Sequence, residues 1–127
     1  LTLQVGSRIP LATSAIGRAY LAKTSDPERN AIIRLATELD DSAAETMRAG
    51  IARGLRDYEE YGCATSFGEW QKDVNGIAVA FRCAGPIPMM AINSGGPSSS
   101  LSKEFLLTEV RPKLLSLVKT LESSAFS

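Results

Sequence analysis

Residues 61–92 run YGCATSFGEWQKDVNGIAVAFRCAGPIPMMAI, and how they pair decides the fold. Three extended segments stand in this stretch, at 63–67, 74–83 and 89–92, each apolar and bounded by glycine, proline or charged residues. The middle one is too continuously apolar to be a half-exposed edge. Ala84, Gly85 and Pro86 mark a turn between the second and third segments. Parallel neighbours would need a crossover of about a dozen residues or more, which these connections are too short to supply. The strands are therefore expected to pair antiparallel, giving an α+β fold with helices laid on the sheet rather than a doubly wound parallel one.

Upstream the texture is helical. Residues 1–5 look like the end of a strand, and Ile9, Pro10 and Leu11 an extended run-up, since proline disfavours helical backbone before it. A short helix is expected over 14–22. Ser25, Asp26, Pro27 and Glu28 offer a cap, an early proline and a capping-box glutamate. Ile32, Ile33, Leu35, Ala36 and Leu39 then fall at helical spacing. Ser42 and Glu45 repeat the capping pattern, and Met47, Ile51, Leu55 and Tyr58 stripe a long helix ending at Gly62. Its charges Arg53, Arg56, Asp57 and Glu60 read as a solvated face. Downstream, 94–100 reads as a flexible loop. A last helix carries Leu106, Val110, Leu114, Leu117, Val118 and Leu121, with Pro112 expected to kink it, or else the regular part to begin near Thr108.

Composition narrows the chemistry. The 127 residues suit one domain, 1–127, and 14 basic residues balance 14 acidic ones. A neutral chain is poorly suited to gripping nucleic acid, which calls for a basic face. No apolar run has the length of a membrane span, and no secretory signal is visible, so a cytoplasmic setting is expected. The sequence has no histidine and two cysteines, Cys63 and Cys83. Histidine-dependent triads are excluded, a zinc site lacks ligands, and the thiols read as reduced core residues. Neither a metal nor a cofactor is expected. The chain begins at Leu1 inside a strand-like run and reads as part of something longer.

The helix start at Thr13 and Ser14 is the feature with chemical content. A capping hydroxyl satisfies one amide of the first turn, worth about 1 kcal/mol. The remaining N–H groups near Ala15, Ile16 and Gly17 form a cradle for a carboxylate, and small side chains let it approach. Trp70 reads as a cover for the core edge, and Glu69 and Asp73 as solvated loop charges.

These residues resemble a known family. VGSRIPLATSAIGRAYLA, at 5–22, is similar to the start of the conserved segment of the effector-binding domain of IclR-type bacterial transcription regulators. The likeness continues in order through IARGLRDYEEYGCATSFGEW, VNGIAVAFR, MMAINSGGP and FLLTEVRPKLLSLVKTL. The resemblance implies a GAF/profilin-like, largely antiparallel sheet with helices packed on it. It also implies a sensor for a small organic acid, acting as a homodimer or homotetramer, with DNA bound only through a separate winged helix-turn-helix domain absent from this chain. The opening helix and first strands of the effector domain would likewise precede Leu1. Carried over by position, the pocket falls on Leu1 and Ile9, the amides of Ala15 and Ile16, and Ser66, Val74 and Gly76, beside the cap and cradle at Ser14 and Gly17. Some members carry an acidic residue where this chain has Ser66 and a cysteine where it has Gly76. Here Ile16 also replaces a smaller residue, which leaves a less charged pocket of altered volume. A ligand-free dimerisation module and a small thiol-dependent enzyme are the competing functions.

Overall fold

The computed structural model describes residues 3–83 and 85–123. Helices α1 (Ala15–Lys23), α2 (Asp26–Leu39) and α3 (Asp41–Tyr61) precede strands β1 (Ala64–Phe67), β2 (Val74–Phe81) and β3 (Met90–Pro97). A C-terminal helix follows, made of a short turn α4 (Lys103–Phe105), a wide turn (Leu106–Val110) and α5 (Arg111–Ser123). The sheet order is β1-β2-β3 and both pairings are antiparallel, as the short connections require. Of the expected turn at 84–86, Ala84 lies outside the described residues.

Strand β2 is buried along its whole length because both of its faces are covered. The faces differ in size. Ala78 and Ala80 lie with Ala64 under Ala15 and Ala19 of α1, so the helix comes close over small side chains. Ile77, Val79 and Phe81 point the other way, into a core with Cys63, Cys83, Leu106, Leu114 and Val118. Fully burying a side chain such as Ile77 or Leu106 contributes roughly 1.5–3 kcal/mol. Both cysteines are free thiols and buried, as expected.

Several elements depart from the sequence reading. Residues 3–5 are not a strand; Gln4 to Ser7 form a turn closed by the Ser7 amide on the Gln4 carbonyl at 2.9 Å, with Gly6 at φ 96°. Extended backbone without a pairing partner does not hold, and none lies beside this segment among the described residues. Helix α3 is capped by Asp40 rather than Ser42. The Asp40 carboxylate accepts from the Ala43 amide at 2.6 Å and from Ser42 Oγ at 2.5 Å. The hydroxyl and then the amide hold its carboxyl below the usual range. An ionised cap accepts more strongly than a serine hydroxyl, so Asp40 takes the position.

The packed face of α3 is also not the expected apolar stripe. Leu55 is exposed, while Ala44, Gly50, Gly54 and Asp57 are buried. A Cβ on Gly50 would sit 2.7 Å from the Ala12 backbone, and one on Gly54 2.7 Å from the Arg18 carbonyl. Glycine at these positions lets α3 lie directly on α1 and its run-up. Gly62, at φ 74°, ends α3 as expected.

Strand β3 runs on to Pro97 through residues read as loop, because Gly95 and Gly96 pair with Gly76 and Asn75 of β2. Pro112 does not break the last helix. The wide turn just before it bonds the Arg111 amide to the Leu106 carbonyl, five residues back. That wider loop of chain accommodates a residue that has no amide to donate.

Candidate functional site

The first turn of α1 is fastened on three sides. Ser14 Oγ accepts from the Gly17 amide at 3.0 Å and donates to the Pro10 carbonyl at 2.6 Å, which ties the run-up to the helix it starts. Ser66 Oγ, from β1, donates to the Thr13 carbonyl at 2.6 Å. Buried Arg18 donates through Nε to the Ala12 carbonyl and through Nη1 to the Thr65 carbonyl, both at 2.9 Å. These bonds hold the Ala15 and Ile16 amides in place at the helix start. The Arg18 amide is already taken by the Ser14 carbonyl.

Between this turn and the sheet lies a cavity of about 70 Å³. Ile9, Ser14, Ala15, Ile16, Ser66, Val74 and Gly76 line it, so seven of the nine residues singled out from the sequence come together there. Leu1 lies outside the described residues. Gly17 stands behind the wall, where a Cβ would be 2.3 Å from the Leu11 carbonyl oxygen, and its amide is taken by the cap. Its role is close packing, which leaves Ala15 and Ile16 of the expected cradle residues at the cavity.

The cavity is also lined by Leu3, Trp70, Asn75, Asn93 and Gly95, which the sequence reading did not assign to it. Asn93 and Gly95 follow from β3 being longer than expected, since they pair with Ala78 and Gly76. Trp70 was legible only as a large residue on a connection between strands. A Cβ on Gly76 would meet the Ser94 carbonyl at 3.5 Å and Ala15 Cβ at 3.7 Å, which is ordinary contact. Glycine there leaves volume in the cavity rather than meeting a backbone demand. None of the lining residues carries a formal charge.

Charge is concentrated one layer behind. Glu69 Oε2 accepts from Arg18 Nη2 and Arg53 Nη1, each at 2.9 Å. Arg53 also reaches Asp57 and Thr65 Oγ1, both at 3.2 Å. Buried Asp57 accepts from the Thr65 amide at 2.8 Å and from Thr65 Oγ1 at 2.7 Å. Burial pushes the Glu69 carboxyl up, but hydrogen bonds from Arg18 and the Phe67 amide, with the field of both arginines, outweigh it and hold the carboxyl below its ordinary value. Asp57, Arg53 and Glu69 are thus not the solvated charges they look like in the sequence. Asp57 satisfies the outer backbone edge of β1, which no strand covers among the described residues.

Two further groups, Cys63 and Tyr58, are quiet. Burial raises the Cys63 thiol to about 11, which leaves it protonated at neutral pH. Burial likewise raises Tyr58 to about 12, and its hydroxyl accepts the Ala80 amide at 2.7 Å beyond the end of β1. Among the described residues no group of three or more His, Cys, Asp or Glu side chains could hold a metal ion, and no helix is long and apolar enough to cross a membrane.

Comparison with known proteins places this arrangement. Residues 1–122 match the family described as bacterial transcriptional regulator IclR, C-terminal, and the chain belongs to that family. A curated relative, the HTH-type transcriptional regulator TsaQ1/TsaQ2 of Comamonas testosteroni, is 26% identical over 97% of this chain and 44% of its own length. The crystal structure of an IclR family transcriptional regulator from Brucella abortus superposes with a TM-score of 0.84 at 37% identity, over 97% of this chain and 46% of that one. A double mutant of the inducer-binding domain of the PobR transcription factor from Acinetobacter, solved with 3-hydroxybenzoic acid, shares the fold with a TM-score of 0.66 at 18% identity, over 93% of this chain and 68% of that one. The chain thus spans less than half the length of the first two relatives named here.

Proposed function

We propose that this domain senses a small organic effector in the cavity between α1 and the sheet, and that effector binding modulates DNA binding by a separate winged helix-turn-helix domain of the same regulator. The observation that carries the reading is the lining of that cavity. Residues from the run-up, α1 and all three strands converge on it, without a charged side chain and with free volume at Gly76. An apolar slot with two oriented amides at one end suits a compact carboxylate whose body is flat and apolar, the acid lying toward Ala15 and Ile16. The 3-hydroxybenzoic acid bound by the PobR double mutant is such a molecule and is the natural first probe.

A ligand of about ten heavy atoms, at roughly 0.6–0.7 kcal/mol per atom, would bind with a Kd of about 10–50 μM. The domain acts in the cytoplasm, as a homodimer or homotetramer, and is not an enzyme. Support for the last point is the Cys63 thiol, which burial keeps protonated. Exposed Leu35 and Leu39 on α2 are suited to contact a second copy.

The test is a thermal-shift and calorimetry panel of aromatic and aliphatic monocarboxylates, 3-hydroxybenzoate among them, on the wild-type domain, Gly76→Val and Ala15→Asp. Binding by the wild type is expected, with loss in both variants. Gly76→Val fills the cavity, and Ala15→Asp sets a carboxylate where the ligand's would lie while remaining compatible with a helix N-terminus. If both variants fold and bind a panel member with wild-type affinity, the site is misassigned.

A further inference from the structure

The loop at 68–73 brings Trp70 to the cavity, and its hairpin is closed by its own backbone. The Gly68 amide donates to the Val74 carbonyl at 2.9 Å, and the Val74 amide to the Gln71 carbonyl at 3.0 Å. These bonds fix the shape of the loop but not its tilt over α1. The tilt is set by the residue before Trp70. One oxygen of Glu69 receives both Arg18 and Arg53, and the other receives the Phe67 amide at 3.3 Å.

Arg18 comes from α1 and is itself locked by two backbone carbonyls, and Arg53 comes from α3. A single carboxylate therefore ties the loop to two helices at once. Drawing two guanidinium groups and a carboxylate partly out of water carries a substantial desolvation cost, more than a hairpin already closed by its own backbone requires. What the cluster adds is orientation. Glu69 does not line the cavity, yet the neighbouring indole does.

We propose that Glu69 is a positioning residue: the Arg18–Glu69–Arg53 cluster latches the loop so that Trp70 stands against the cavity, and so sets effector affinity without touching the effector. The affinity part rests on the cavity being the effector site. The latch itself does not.

Trp70 is the only tryptophan in the sequence, so its emission reports the loop alone. The experiment uses the full chain and compares wild type, Glu69→Gln, Glu69→Asp and Arg53→Gln. Indole emission, acrylamide quenching and far-UV circular dichroism are measured, with 3-hydroxybenzoate as the ligand probe. Glu69→Gln should move the emission to the red and raise the quenching constant about two- to threefold with helical signal unchanged, because the loop opens while the domain stays folded. Glu69→Asp should recover part of the wild-type value, and Arg53→Gln, which leaves the Arg18 contact, should give a smaller rise. Ligand affinity should weaken in the same order.

Wild-type quenching in folded Glu69→Gln overturns the latch. Should Glu69→Gln fail to fold, Arg53→Gln decides by the same measure. Altered quenching without probe binding by the wild type supports the latch and counts against the effector reading instead.

Discussion

Replacing Asp57 by alanine tests the electrostatic layer behind the cavity most directly. The side chain is 6% exposed and accepts two short hydrogen bonds from Thr65, with Arg53 Nε at 3.2 Å. Hydrogen bonds to an ionised partner contribute about 1.5–3 kcal/mol each, and breaking a buried pair costs about 3–5 kcal/mol. Arg53 is about one-third exposed and keeps Glu69 as a partner, so its share is screened and the lower end applies. The expected loss is about 3 kcal/mol, chiefly from the Thr65 amide left without an acceptor at the edge of β1. For a domain of this size that lowers Tm by about 10–15 °C. Asp57→Asn keeps one acceptor for that amide and should cost only about 1–1.5 kcal/mol. Urea unfolding followed by circular dichroism gives both values. A loss below about 1 kcal/mol for Asp57→Ala would mean that the edge of β1 is solvated and Asp57 is a surface charge after all.

Three further outcomes follow from local geometry. Gly17→Ala should destabilise the domain by about 3 kcal/mol or more, since its Cβ would lie 2.3 Å from the Leu11 backbone; a folded variant with wild-type Tm would contradict the packing of the run-up on α1. Tyr58→Phe leaves the Ala80 amide without its acceptor and should cost about 1–2 kcal/mol, read from the same urea curves. Cys63 should label at least about a hundredfold more slowly than a free thiol at pH 8, being both buried and titrating near 11, and rapid modification of the folded chain would rule out that environment.

How much of this was legible in the sequence follows from the range of the forces involved. The antiparallel sheet, the helix starts at Ser14 and Ser25 and the stop at Gly62 rest on local chemistry, and local chemistry is what a sequence displays. The helix-start side of the cavity was legible for the same reason, through small residues at a capped helix start, whereas Ile9, Ser66, Val74 and Gly76 came only through the family resemblance. The packed face of α3 was not. Gly50 and Gly54 look like weak helix formers in the sequence and become contact residues only once α1 lies across them. Asp57 and Glu69 have the composition of surface charges, and only their distant partners Thr65 and Arg18 draw them inward. The tail of β3 reads as loop because its glycines carry no side-chain signal, while its register is imposed by β2.

The wide turn at Leu106–Val110 also sets the phase of the helix it interrupts. In a regular α-helix each residue advances by about 100°, so Leu114 and Val118 would stand roughly 80° and 120° around the axis from Leu106. Yet all three are buried in the same core. The turn takes up one residue without advancing the spiral, which brings those angles to about 20° on either side of Leu106. Straightening the turn into regular α-helix at unchanged length would swing Leu106 off that face by about 100°, whereas deleting one residue between 107 and 110 would restore regular bonding and keep it there. The irregular turn thus works as a one-residue phase shifter, aligning the two halves of the last helix on one wall of the sheet.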